Sequence, residues 1–247
     1  MDRNQIRQSV WTELIKVAKP DSRFHLDFND FIPDFEGSEH AVANLMALPE
    51  YQSSKVLFVT PDNCLDLMRA ENVRQGKVQM VTTYGIKRGF IEIKPEYVPE
   101  GIEDFAMLLD AMERVGKPIT LREISSKYRF DLLITGASAI NLSGTRFGKG
   151  HGYFDMEWAM LNDIGVVTRD TPIVGVIHDV QLMDLDLPAS PHDVVCDIIV
   201  TPTRTIRVPN VAKPAAGVIW ESVTAETMAA MPVLYELKEI LSGSSLG

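Results

Sequence analysis

The sequence predicts an α/β protein: an open, mainly parallel sheet with helices on both faces. Three observations lead there. Short β-branched runs alternate with helix-length segments along the chain. Those runs are apolar at consecutive positions, the pattern of strands covered on both sides. Helix-length segments close on residues that stop helices, such as Pro20, Gly76 and Gly116.

In chain order, Ile6, Val10, Leu14 and Val17 recur at helical spacing, which predicts an amphipathic helix over 3–18, ended by Lys19-Pro20. Residues 20–37 are aromatic, acidic and broken by Pro and Gly, and are expected as a loop on the surface. Ser38 is expected to cap a helix over 39–48. A strand at 55–60, a helix at 63–75, a strand at 78–84 and a weaker one at 90–93 follow. Residues 102–115 read as one helix, and Thr120-Leu-Arg-Glu123 has the form of a capping box opening another. The strand 131–135 runs into a glycine-rich loop, with a helix at 152–164 behind it. Strands are expected at 173–177, 197–201, 205–208 and 218–220, then a helix at 224–241 and a frayed tail at 242–247. Ligands of such sheets sit at the carboxyl ends of strands. The loops after Thr60, Tyr84, Thr135 and Ile177 are therefore expected in one crevice.

Bulk properties exclude several classes. The 247 residues, 45% hydrophobic and 23% charged, suit one large domain or a domain with an extension. A net charge of −10 argues against a general nucleic-acid partner. Cys64 and Cys196 are far apart and lack CxxC spacing, so no disulfide framework or cysteine zinc site is expected. No apolar run approaches the ~18 residues of a membrane span. The first residues carry charges where a secretory signal needs an apolar run, so the expectation is a cytoplasmic protein, monomer or homodimer, without a membrane partner.

The densest signal is the stretch from Asn141 to Asp155, with glycines at 144, 148, 150 and 152 and the cations Arg146 and Lys149. Glycines let backbone N–H groups turn into a concavity, and the following helix aims its positive end at the same space. This combination suits a polyphosphate. It is not a Walker P-loop, since Gly144 to Gly148 is one residue short and Gly150 follows the lysine. Nor is it a dinucleotide fingerprint, since 148, 150 and 152 read GxGxG.

These residues resemble the 5-formyltetrahydrofolate cyclo-ligase family. The loop reads Gly144-x-Arg146-x-Gly148-x-Gly150-x-Gly152-Tyr153-Phe154-Asp155, similar to that family's GxRxGxGxGYYD. Gln181 followed by Leu187-Pro-Ala-Ser-Pro-His192-Asp193 and Asp197 is similar to its Q…LPxxxHDxxxD segment, and Arg3-x-x-x-Arg7 to its Lys/Arg-x-x-x-Arg. The resemblance covers residues 1–202, with 203–247 as a C-terminal extension of short strands and a helix packing on the same domain. It implies a fold like that of the NagB, RpiA and CoA-transferase proteins, and an ATP- and Mg²⁺-dependent ligase. That enzyme converts 5-formyltetrahydrofolate to 5,10-methenyltetrahydrofolate.

The resemblance implies roles as well. Arg146 and Lys149 would be the catalytic cations. Arg3, Arg7, Arg146, Phe147, Gly148, Lys149, Gly150, His151, Gly152, Tyr153 and Phe154 would line ATP. Asp62, Tyr84 and Tyr153 would meet the second substrate, and Asp155 and Asp193 would hold Mg²⁺. Plainer readings stand beside these: Arg3 and Arg7 as a wet helix face, Asp193 as a turn cap, Tyr153 as a core aromatic. The departures fall near the second substrate. Phe154 replaces a tyrosine, Asp62 stands nearest to a family glutamate, and Thr-Thr-Tyr84 replaces a usual proline. They imply a divergent branch, acting on the folate or on another formyl compound. The alternative is a non-catalytic nucleotide- or RNA-associated binding protein that keeps the fold.

Overall fold

The computed structural model describes residues 2–188, 190 and 192–243. Ala189 and Pro191 of the second motif, and 244–247 of the expected tail, lie outside the described residues. Helix α1 (Arg3–Leu14) opens with a capping box of Asp2 and Gln5 and buries Ile6, Val10, Trp11 and Leu14. It stops short of the expected 18, because the chain turns there to bridge Ala18 with Phe35. The segment 20–37 is irregular but not a surface loop. Phe28, Phe31, Ile32 and Phe35 are all buried, and Phe28 and Phe31 pack against Trp11 and Leu14. Burial of their rings holds it without regular structure.

Helix α2 (Ser38–Met46) has Gly37, not Ser38, as its N-cap, with left-handed φ of 78°. Helix α3 (Pro49–Ser53) leads to strand β1 (Val56–Val59). A 3₁₀ turn and helix α4 (Asp66–Arg74) connect to β2 (Val78–Thr82). Strand β3 (Phe90–Ile93) pairs antiparallel to β2. The expected helix 102–115 breaks into α5 (Glu103–Ala106) and α6 (Leu109–Val115), since Leu108 takes extended dihedrals as the cap of the second. Strand β4 (Lys117–Ile119), unforeseen, adds to the sheet edge, and α7 (Leu121–Lys127) starts at the Thr120–Glu123 capping box.

Strand β5 (Leu132–Gly136) enters the glycine-rich region, where β6 (Ala139–Asn141) and β7 (Arg146–Phe147) form a small hairpin. Helix α8 (Tyr153–Asp163), β8 (Ile173–Val176), the short β9 (Leu182–Met183), β10 (Ile198–Val200) and β11 (Thr205–Arg207) follow. The expected strand at 218–220 is absent; Trp220–Ser222 is a 3₁₀ turn. The final helix is split by Met231-Pro232 into α9 (Ala225–Ala230) and α10 (Val233–Leu241), since a proline has no backbone N–H to continue the helical hydrogen bonds.

The main sheet runs β11-β10-β8-β5-β1-β2-β3-β4. Its five central strands are parallel, and β11, β3 and β4 are antiparallel additions at the edges. Successive strand residues serve opposite faces. Phe58, Leu133, Ile173 and Ile199 face a core with Trp158 and Leu234, while Leu57, Val59, Leu132 and Val174 face one with Val42 and Leu45. From β1 the strand order grows in both directions, so the switch point of the sheet lies at the carboxyl ends of β1 and β5.

Candidate functional site

A crevice opens at that switch point. Of the four loops expected there, those after Thr60, Tyr84 and Thr135 line it. The loop after Ile177 does not. It folds into a 3₁₀ turn whose Gln181 donates to the Ala137 carbonyl (2.6 Å), bracing the start of the hairpin instead. The segment read as a surface loop supplies a wall through Phe24, Phe31 and Ile32. The only signal for that wall was its density of aromatic residues.

The glycine-rich loop divides in two. Its first part is structural. The Asn141 side-chain oxygen accepts from the Ser143 and Thr145 amides (3.1 and 2.9 Å), closing the turn between β6 and β7. Gly144 has φ of +80°, and a Cβ there would run into the Cys196 carbonyl. The second part is different. Among the described residues, no protein group accepts from the backbone amides of Gly148 to Gly152, nor from Tyr153, Phe154 and Asp155 in the first turn of α8. Gly150 and Gly152 hold positive φ of 116° and 66°, the second as the cap of α8. A run of unpaired amides at a helix start is chemically an anion cradle.

Lys149 stands between two rings, its Nζ 4.7 Å from the centre of Tyr84 and 5.5 Å from that of Tyr153. It donates to the Asp30 carbonyl (2.6 Å), which also accepts from the Tyr84 hydroxyl (2.8 Å). Burial lowers its pKa, with Asp62 and Asp30 opposing. The stack extends on both sides: Phe31 to Phe24 and Phe24 to Tyr84 at 5.3 Å each, and Tyr153 to His151 at 5.2 Å. Arg146 is buried. It donates to the Gly136 carbonyl (3.1 Å), lies 3.8 Å from Asp155 and covers the Phe154 ring, while its Nε has no partner among the described residues. Phe154 is itself a core side chain stacked on Phe58.

Helix α1 brings Arg3 and Arg7 over the Phe147 ring, 4.8 and 5.6 Å from its centre. Arg7 donates to the Gly148 carbonyl (2.8 Å) and to Asn4, and its guanidinium lies beside Gly150. Its pKa is lowered first by burial and then by the neighbouring Arg3. Arg3 is bound by both oxygens of Asp193 and donates to the Pro188 carbonyl (3.0 Å).

Four carboxyl groups complete the site. Asp155 accepts the Val194 amide (2.9 Å) on Oδ1; burial raises its pKa against the pull of Arg146. Asp193 is enclosed by Arg3 and the Ser190 amide (2.6 Å). Asp62 accepts from Thr60 (2.5 Å) and from the Gly136 amide (3.0 Å), both on Oδ2. Glu157, which the sequence reading did not single out, is 2% exposed and accepts the Thr82 hydroxyl on Oε1. Burial pushes its pKa up to about 8 despite that bond. A signal existed: Glu157 sits on the same helix stripe as Phe154, Trp158 and Leu161, where a charge is out of place.

For a divalent ion, Asp155 keeps an oxygen that no group among the described residues binds, while both oxygens of Asp193 are already taken. The fit is thus one carboxylate plus room for water and phosphate oxygens, a common arrangement for magnesium. Among the described residues there is no cluster of three or more His, Cys, Asp or Glu suited to a metal. No described helix is long and apolar enough to cross a membrane.

Fold and crevice define a class first, an open α/β protein with a basic, amide-lined ligand loop at its switch point. A model of the 5-formyltetrahydrofolate cyclo-ligase family matches residues 1–202, and the chain belongs to that family. It is 29% identical over 240 residues to the methenyltetrahydrofolate synthase domain-containing proteins of Bos taurus and Homo sapiens, covering 96% of this chain. The chain spans 62% of the length of those relatives. It is 32% identical over 76 residues to the 5-formyltetrahydrofolate cyclo-ligase of Mycolicibacterium smegmatis, 31% of this chain and 36% of that one. The NMR structure of Aquifex aeolicus 5,10-methenyltetrahydrofolate synthetase superposes with a TM-score of 0.55 at 20% identity, over 86% of this chain and 96% of that one. That likeness is one of fold.

Proposed function

We propose that the protein is an ATP- and Mg²⁺-dependent ligase of the cyclo-ligase kind. It converts 5-formyltetrahydrofolate to 5,10-methenyltetrahydrofolate, or activates a related formyl compound by the same step. The observation that carries this is the run of unpaired amides from Gly148 onward, beside Lys149 and the start of α8. In the reaction, the formyl oxygen attacks the γ-phosphorus and ADP leaves. The second nitrogen then closes on the activated carbon, and inorganic phosphate carries the oxygen away. Such chemistry asks for alignment and charge neutralisation, with no protein nucleophile.

The residues divide that labour. The amides of Gly148 to Gly152 and the free nitrogen of Arg7 would hold phosphate oxygens. Lys149 would exchange its carbonyl partner for the transferred phosphoryl group, where charge builds up. Arg146 would act from behind, fixing Asp155 and Gly136. Asp155 would hold Mg²⁺, which supplies neutralisation of the phosphate charge. Asp193 would keep Arg3 in place beside the loop. Tyr84 and Tyr153 would flank the formyl compound, and Asp62 would offer it Oδ1.

The test is direct. Purified protein with Mg-ATP and 5-formyltetrahydrofolate should form the methenyl product, read by absorbance, with one phosphate released per turnover. Nucleotide binding without turnover on any formyl compound would instead favour a non-catalytic binding protein.

A further inference from the structure

Glu157 is a buried carboxyl of the crevice that the reading above does not use. It lies on α8, one turn inside the phosphate loop, and lines the crevice together with Thr82. The side chain is 2% exposed, and its Oε2 has no partner among the described residues. Its other oxygen is fixed by the Thr82 hydroxyl, so the carboxyl cannot swing away to find one. Leaving a buried carboxyl half-paired costs the fold, and an apolar side chain of that size would be tolerated better. The crevice that Glu157 helps to line also includes Phe24, Tyr84, Phe154 and the carboxyl of Asp62. Flat rings and a fixed carboxyl together suit a flat ligand with an adjacent hydrogen-bond donor and acceptor.

We propose that Glu157 contacts the second substrate directly, its Oε2 pairing with the lactam or amidine edge of a planar nitrogen heterocycle. This rests on the ligase reading for the presence of a second substrate in the crevice. The contact is specific to this site, because Oε1 is committed to Thr82 and only Oε2 remains. Glu157 therefore selects the ring, while Lys149 and the loop serve the phosphates.

Calorimetric binding to the full chain tests the contact with 5-formyltetrahydrofolate, pterin and cytosine, each compared with its counterpart methylated on the ring nitrogen of that edge. Wild type should bind at least one parent compound and lose it on methylation. Glu157→Gln, which keeps the Thr82 bond on its oxygen and offers a donor where Oε2 stands, should stay within about tenfold. Glu157→Leu should weaken binding on the order of 30- to 100-fold. Its melting temperature without ligand should be unchanged or higher, which a merely structural carboxyl would not give, and Mg-ATP affinity should stay within twofold. Equal binding of parent and methylated rings by wild type overturns the proposal even if the leucine variant does not fold. So does equal binding of the parent by the leucine variant, or failure of every ring to bind. The phosphate-release assay on wild type decides the ligase reading separately. Turnover with no effect of Glu157 sinks only the contact, and Glu157-dependent binding without turnover sinks only the ligase.

Discussion

Lys149 carries a full charge where one carbonyl and two aromatic rings receive it. Such a cation is held in place yet incompletely paired, the state expected of a group that awaits an anion. Replacing it with Ala should lower kcat/KM by roughly 10²–10³, the range for loss of one preorganised donor. It should leave the melting temperature near that of wild type, because no carboxylate loses a bonded partner. Asp21 tells of stability instead. It accepts from the Arg23 side chain (2.8 Å), the Arg23 amide and Asn63 (2.7 Å), pinning the aromatic segment beside the crevice. Its hydrogen bond from Arg23 holds its carboxyl well below the usual carboxylate range. A depressed folded pKa stabilises above the unfolded value and loses that stabilisation as pH falls through the folded one. In urea titrations from pH 5 to 2, Asp21→Asn should therefore show a shallower loss of stability than wild type. Legibility at this scale followed chemistry that declares itself in residue type. The cations and glycines stood out, while Glu157 showed only as a charge on an apolar helix stripe, which does not by itself mark a carboxyl as unpaired.

At the scale of elements, the glycine-rich loop joins a structural turn to an open cradle, and two glycines separate these roles. Gly144→Ala meets left-handed strain of about 1–2 kcal/mol and a backbone clash with Cys196 that cannot relax. It should unfold the hairpin and lower the melting temperature markedly. Gly152→Ala has the same strain but nothing closer than the Asp155 carboxyl at 4.0 Å. It should cost about 1 kcal/mol in stability, and show its larger effect in ATP affinity. Differential scanning calorimetry and nucleotide titration of the two variants separate these outcomes. Periodicity and capping made α1, α7, α8 and the inner strands readable. The β6–β7 hairpin was not, since its strands of three and two residues carry no pattern. The split at Pro232 was missed although proline chemistry carries it, whereas the one at Leu108 depends on dihedrals that tertiary packing selects.

The whole molecule is acidic, with a net charge of −10, yet gathers Arg3, Arg7, Arg146 and Lys149 around one loop. A local positive field in a negative surround can draw in an anion while keeping others off. The residues after 202 are built into the same body. Strand β11 extends the sheet, Leu234 and Leu237 are fully buried, and Glu236 accepts the first amides of α7 at 3.1 and 3.0 Å. Lys213 reaches Asp197 at 2.7 Å and two carbonyls besides. Deleting 203–243 should abolish a single cooperative thermal transition and expose dye-binding apolar surface. The parallel centre of the sheet was legible because doubly covered strands are apolar throughout. The antiparallel edges were not, since strand direction leaves no local mark.

Amide hydrogen exchange across residues 148–155, with and without Mg-ATP, examines the cradle at its own atoms. Without nucleotide these amides should exchange fast, for want of a protein acceptor. With it they should slow together, by a factor that follows nucleotide saturation. Exchange there that is already slow, or that stays unchanged while other segments become protected, would contradict a triphosphate held by this loop.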